Sequence, residues 1–144
     1  MKLLTVKELQ AKIAEAEGAK ASAALRAMHA EEEEKRALLE RLSKPSGLSD
    51  DEVMEKASLI INRAVENGQM SVQVFRFPHS LCTDNGRAIN QAEAGWEKTL
   101  TGIPKEIYDF WTRQLQPRGY HIRYETLNYP GGMPGDVGII LSWG

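Results

Sequence analysis

The sequence predicts an α+β protein in which a long N-terminal helix precedes a small domain built on a three-stranded sheet. Two observations carry this prediction. Every Phe, Trp and Tyr follows position 44, where Lys44-Pro45-Ser46-Gly47 interrupts the chain. Three segments beyond that point carry the alternating apolar residues of strands. Because a small core depends on large apolar side chains, we predict a helix over residues 1–44, a hinge over 45–48 and a compact domain over 49–144.

The first segment predicts one continuous helix. Thr5 and Glu8 have the spacing of a capping box, alanine is frequent, and no proline precedes Pro45. About 39 helical residues span roughly 58 Å, whereas a domain of about 97 residues has a diameter near 35 Å. We therefore expect this helix to project and to offer residues 5–43 to another protein or to a second copy of the chain. A solvated helix without a partner is the alternative.

The domain begins with a predicted helix that runs from a Ser49–Glu52 capping box to Asn67-Gly68. A strand follows, in which alternation predicts two opposite faces, one with Met70, Val72 and Val74 and the other with Phe75 and Phe77.

A short helix is predicted over 87–96, and a further helix begins near Pro104. The last two alternating segments, 120–127 and 137–143, predict a C-terminal hairpin. The first strand, the intervening helix and the second strand then form a β-α-β crossover, right-handed if its strands pair in parallel. Helices pack on this sheet, mainly on one face.

Charge and composition exclude several classes of function. Eighteen Lys and Arg stand against twenty Asp and Glu, giving a net charge of -2. Nucleic-acid binders neutralise phosphates with excess basic residues, so this balance argues against nucleic acid. Apolar runs far shorter than twenty residues argue against a membrane partner. The apolar run Leu3–Val6 is too short for a signal-peptide core, so we expect a cytoplasmic protein.

Candidate catalytic residues cluster at His79, Cys82 and Asp84, which have the residue types of a base, a nucleophile and an orienting acid. Catalytic cysteine and histidine residues normally meet through the fold rather than within one loop, so a packing role for Cys82 is the favoured interpretation. The same three residues with His121 match no standard zinc spacing. We therefore predict neither a metal nor a cofactor.

Two loops have the composition of an anion-binding site. Arg76, Arg87 and Asn90 supply donors in the first loop. In the second, successive amides can converge on an anion at the glycines Gly131, Gly132 and Gly135. Structural ion pairs for the arginines and a simple turn for the glycines are the favoured interpretations.

These observations favour a non-catalytic protein-interaction or regulatory module whose long helix is a partner or dimer surface. The alternative is a small enzyme or anionic-ligand-binding domain that uses the loops 76–90 and 130–136. The two hypotheses differ in where the loops lie. A single concave site with His79 and Cys82 inside would favour the enzyme.

Overall fold

The computed structural model describes residues 3–144 and has the mixed α+β fold that the sequence predicts. The described chain divides into two compact units, one that ends at Leu38 and one from Leu39 to Gly144. Its helices and strands, in chain order, are α1 (Val6–Ser43), α2 (Asp50–Glu66), β1 (Ser71–Phe77), α3 (Arg87–Asn90), α4 (Gly102–Phe110), β2 (His121–Thr126) and β3 (Val137–Ser142).

Helix α1 is continuous over its 38 residues. Its first turn has the predicted capping box, since the amide of Glu8 donates to the hydroxyl of Thr5 and the amide of Thr5 donates to the carboxylate of Glu8, both at 3.2 Å. Gly18 lies inside the helix without breaking it. Apolar side chains on this helix are exposed, among them Leu9 and Leu25.

Helix α2 has the predicted boundaries because local hydrogen bonds satisfy both of its ends. Ser49 and Glu52 form the second capping box, which supplies acceptors to the free amides of the first turn. At the other end Gly68 adopts a φ of +74°, and its amide donates to the carbonyl of Val65 at 2.9 Å. Glycine reaches this left-handed conformation without steric cost, which is why Asn67-Gly68 ends the helix.

The strands form one antiparallel sheet in the order β1-β3-β2. β2 and β3 make the predicted hairpin. β1 and β2 run parallel to each other but do not pair, because β3 lies between them and pairs with both. β3 takes the central place as the most apolar strand, with buried side chains at Val137, Ile139, Ile140 and Leu141. The predicted crossover therefore spans one intervening strand.

A β-bulge in β1 changes which side chains share a face. The register between β1 and β3 shifts around Val74, so that Val72 lies opposite Leu141 and Phe75 lies opposite Ile139. Leu141 and Ile139 are two residues apart and face the same way, so Val72 and Phe75 do as well. The prediction that these two residues face opposite ways is wrong, because the extra residue of a bulge breaks the alternation.

Segment 78–101 contains less helix than predicted. The expected helix over 87–96 is the single turn α3, after which Ala92 takes a φ of +52°.

Farther along, α4 continues from Phe110 into a π-helical turn, Trp111–Leu115. Its start is tied to the sheet, since the hydroxyl of Tyr124 donates to the carbonyl of Pro104 at 2.7 Å in a buried position.

One cluster of buried side chains joins the helices to the sheet. Ile61 of α2, Phe110 of α4, Leu115 of the π-helical turn and Leu141 of β3 pack together. Leu42, in the last turn of α1, is buried as well and belongs to the unit that begins at Leu39. The core is therefore built from elements that are distant in sequence.

Candidate functional site

The two loops singled out in the sequence lie side by side. The hydroxyl of Tyr129 donates to the side-chain oxygen of Asn90 at 2.7 Å. The guanidinium of Arg76 contacts the carboxylate of Asp136 at 2.8 Å. These two contacts bring the segment 76–90 next to the segment 129–136.

The first loop uses its own acid to satisfy the amides at the start of α3. The carboxylate of Asp84 accepts from the amide of Gly86 at 3.0 Å and from the amide of Ala88 at 2.8 Å. Arg87 lies 3.9 Å from the carboxylate of Glu93, with its side chain largely exposed. The amides at the start of α3 that could bind an external anion are therefore occupied by a carboxylate of the chain itself.

The glycine-rich loop also directs its amides inward. Gly131 and Gly132 have positive φ values of 62° and 81°, and the amide of Gly132 donates to the carbonyl of Tyr129 at 3.1 Å. The amide of Gly135 donates to the carbonyl of Asn128 at 2.9 Å. The amides of Gly132 and Gly135 are thus used within the loop, which is how glycines serve a tight connection.

Cys82 is buried, with 2% of its surface exposed. Burial raises the pKa of its thiol to about 11, because a thiolate is poorly solvated inside the protein. The negative charge of Asp84 shifts the pKa in the same direction. Its link to His79 is through the backbone, where the amide of Cys82 donates to the carbonyl of His79 at 2.9 Å. A nucleophilic cysteine needs the opposite environment, one that lowers the pKa.

Side chains that could ligate a metal are dispersed over the part of the chain that the structure describes. Within residues 3–144, no three side chains of His, Cys, Asp or Glu come close enough to hold a metal ion. In the same part of the chain, no helix is both long and apolar enough to cross a membrane.

A concave feature of the domain lies elsewhere, between α2 and α4. This cavity of about 410 Å³ lies within the unit Leu39–Gly144, and we call it the α2/α4 groove. Its volume lies in the range of sites that bind ligands or side chains of a partner. Apolar residues from two helices and the sheet make up most of its lining: Leu48, Val53, Ala57, Ile60, Val74, Phe75, Ile103, Ile107, Phe110, Trp111, Leu115 and Leu141.

The groove exists because the apolar stripe of α2 is wider than the core that covers it. Ile61 and Ala64 are buried, whereas Ile60, on the same stripe, keeps 37% of its surface exposed. On the sheet side, the bulge brings both Val74 and Phe75 into the groove. β-bulges recur beside functional sites because they redirect side chains in this way.

Charged side chains form the rim of the groove. Three are acidic and two are basic, so the rim carries a formal charge of -1: Asp50, Glu106, Asp109, Lys56 and Arg113. Glu106 accepts a hydrogen bond from the amide of Ser46 at 3.2 Å. An apolar lining with a charged rim is the arrangement of a surface that binds an amphipathic segment.

One end of the groove is held by an ion pair. Arg113 contacts both oxygens of Asp50, at 2.9 and 3.3 Å, and Gln114 donates to the same carboxylate at 3.1 Å. The hydrogen bonds from Arg113 and Gln114 lower the pKa of Asp50 below its ordinary value. These contacts tie the first turn of α2 to the π-helical turn that continues α4.

The π-helical turn is a second unusual feature of the groove wall. Trp111 and Leu115, which bound it, both line the groove. The indole N–H of Trp111 donates to the carbonyl of Tyr120 at 3.0 Å, which fixes the turn against the start of β2. Such turns are rare and occur disproportionately at functional sites.

The sequence predicts helices over the segments of α2 and α4 but not the gap between them. The available signal is the run of apolar residues at helical spacing along α2, from Val53 to Ala64. Comparison with known proteins finds no match to this chain among family models, curated proteins or solved structures.

Proposed function

We propose that this protein is a non-catalytic protein-interaction module and that the α2/α4 groove is its principal docking surface. The observation that carries this proposal is the open apolar lining of the groove, about 410 Å³ in volume, beneath a rim of charged side chains. Grooves of this kind bind the apolar face of an amphipathic helix, with anchors one helical turn apart.

The environment of Cys82 supports the non-catalytic part of the proposal. A thiol with a pKa near 11 is protonated at neutral pH, and its burial keeps substrates away. The alternative, an enzyme or an anionic-ligand-binding domain, draws on loops whose amides are already used by Asp84, Tyr129 and Asn128. The geometry therefore favours the interaction module.

Helix α1 contributes a second surface in this proposal. Leu9, Ile13, Leu25 and Met28 keep between 45% and 59% of their surface exposed. Isolated helices are costly to order in water, so a helix of 38 residues gains stability from a protein partner or a second copy. We further propose a cytoplasmic location, where a free thiol such as that of Cys82 remains reduced.

Photo-crosslinking in the native host tests the proposal. Ile60 lines the groove and is partly exposed, whereas Ser58 is exposed on the same helix outside the groove. A benzophenone amino acid in place of Ile60 should yield adducts with protein under illumination, and the same substitution of Ser58 should not. If the Ile60 position yields no adduct, or no more than the Ser58 position, the groove is not a docking surface.

A further inference from the structure

We propose that the α2/α4 groove binds residues 3–13, which include the first turns of helix α1, from a second copy of this chain. The inference rests on the proposed function, because it names the partner of the same groove. The observations behind it are the spacing of the apolar side chains in this segment, the charge on both surfaces and the length of α1.

The segment has the anchor spacing that a groove of this kind accepts. Val6, Leu9 and Ile13 follow an i, i+3, i+7 pattern, which places them on one face of the helix over about 10 Å. Their exposed fractions are 70%, 45% and 59%. The described chain therefore leaves three large apolar side chains in one row substantially exposed to solvent.

Charge distinguishes this segment from the other apolar pair on α1. Lys7 and Lys12 lie on either side of the Val6–Ile13 row and, together with Glu8, give residues 3–13 a formal charge of +1, opposite in sign to the groove rim at -1. The second pair, Leu25 and Met28, is followed by four consecutive glutamates over 31–34, which the acidic rim would repel. The N-terminal segment is therefore the better match for the groove.

The length of α1 favours a second copy over the same chain. Twenty-nine residues separate Ile13 from the buried Leu42, which is about 44 Å along a continuous helix. A compact unit of about 106 residues has a radius of gyration near 13 Å. A continuous helix of this length is longer than such a unit is wide, and for this reason we assign its first turns to the groove of a second copy. Two copies that exchange these segments fill both grooves in a closed, symmetric dimer.

The first experiment measures the mass of the full-length protein against concentration by analytical ultracentrifugation. The wild-type chain should dimerise, and the double variant Leu9→Ser/Ile13→Ser should raise the dissociation constant at least tenfold. The matched control, Leu25→Ser/Met28→Ser, removes similarly exposed apolar side chains from the same helix and should leave the dimer intact. A wild-type chain that stays monomeric, or a control that weakens the dimer equally, overturns the inference.

The second experiment exchanges charges between the two surfaces. Lys7→Glu/Lys12→Glu and Asp109→Lys should each weaken self-association, because each creates like charges across the contact. An equimolar mixture of the two variants should recover association, since the acidic helix of one then meets the more basic groove of the other. A mixture that associates no better than its components contradicts the proposed pairing.

Mapping the crosslinks from Ile60 in the full-length protein separates this inference from the function on which it rests. In a mixture of heavy- and light-isotope copies, adducts that join the Ile60 position of one copy to residues 3–13 of another support both the inference and the proposed function. Adducts only to a different protein, or only to another part of this chain, keep the groove as a docking surface and overturn its assignment to α1. The absence of any adduct overturns both.

Discussion

The reactivity of Cys82 gives the sharpest test of the non-catalytic assignment. At pH 7 a thiol with a pKa near 11 has a thiolate fraction of about 10⁻⁴, whereas its ordinary pKa of 9.0 gives about 10⁻². The smaller thiolate fraction alone therefore slows alkylation of the native protein about 100-fold relative to an exposed cysteine. Burial slows it further, because the reagent must wait for the surrounding structure to open.

The assay is the rate of iodoacetamide labelling across pH 6 to 11, followed by mass spectrometry, with the protein unfolded in urea as the reference. We expect slow labelling of the native protein and a rate that is still rising at pH 10. Fast labelling with an apparent pKa below 8.5 would show a stabilised thiolate and would refute our reasoning. The enzyme hypothesis would then take precedence, and substitution of His79 should raise that pKa.

The same pKa shift predicts how stability depends on pH. Because the thiol pKa is higher in the folded state, its contribution to stability is fully present below pH 9 and is lost as the pH rises towards 11. Two pKa units correspond to about 3 kcal/mol. We expect the difference in unfolding free energy between the wild type and Cys82→Ala to shrink over this range. A difference that is independent of pH contradicts the shift.

Three further predictions concern the architecture. Tyr124→Phe should lower the free energy of unfolding by about 1–2 kcal/mol in urea titrations, because the buried hydrogen bond to the carbonyl of Pro104 is lost. A change below about 0.5 kcal/mol would contradict a net contribution from that hydrogen bond. Gly102→Ala should lower the free energy of unfolding by at least about 2 kcal/mol, since the glycine has a φ of +59° and a Cβ would overlap the carbonyl oxygen of Leu42. An unchanged melting temperature would rule out this close approach. Deletion of residues 1–38 should preserve a cooperative thermal transition. Deletion of residues 1–44 also removes the buried Leu42 and should lower the free energy of unfolding by about 2–5 kcal/mol. Equal melting temperatures of the two truncated proteins would show that Leu42 does not contribute to stability.

Features that depend on neighbours in sequence were predictable. The two capping boxes, Thr5–Glu8 and Ser49–Glu52, form where their spacing places them, because each needs only a side chain and an amide three residues apart. The C-terminal hairpin follows from two alternating segments that are adjacent in the chain. The stop at Gly68 likewise needs only a residue that adopts a positive φ.

The candidate site was only partly predictable. The sequence identified the residues of the loops 76–90 and 130–136, and the structure does bring these loops together through Tyr129 and Asn90. It also predicted the two helices whose separation creates the α2/α4 groove. Nothing local indicates that Asp84 satisfies the amides of α3, since this depends on how the loop folds back. The burial of Cys82 agrees with the packing role that the sequence favours for a free cysteine.

The sequence by itself thus determined the helices α1 and α2 with their capping boxes, the start of α4, the three strands and the mixed α+β class. Tertiary structure alone decided that β3 lies between β1 and β2, that β1 bulges at Val74, and that α2 and α4 leave a groove. The physical reason is the range of the interactions. Caps and turns are hydrogen bonds within a few residues, whereas strand order and grooves result from competition among apolar surfaces far apart in the chain.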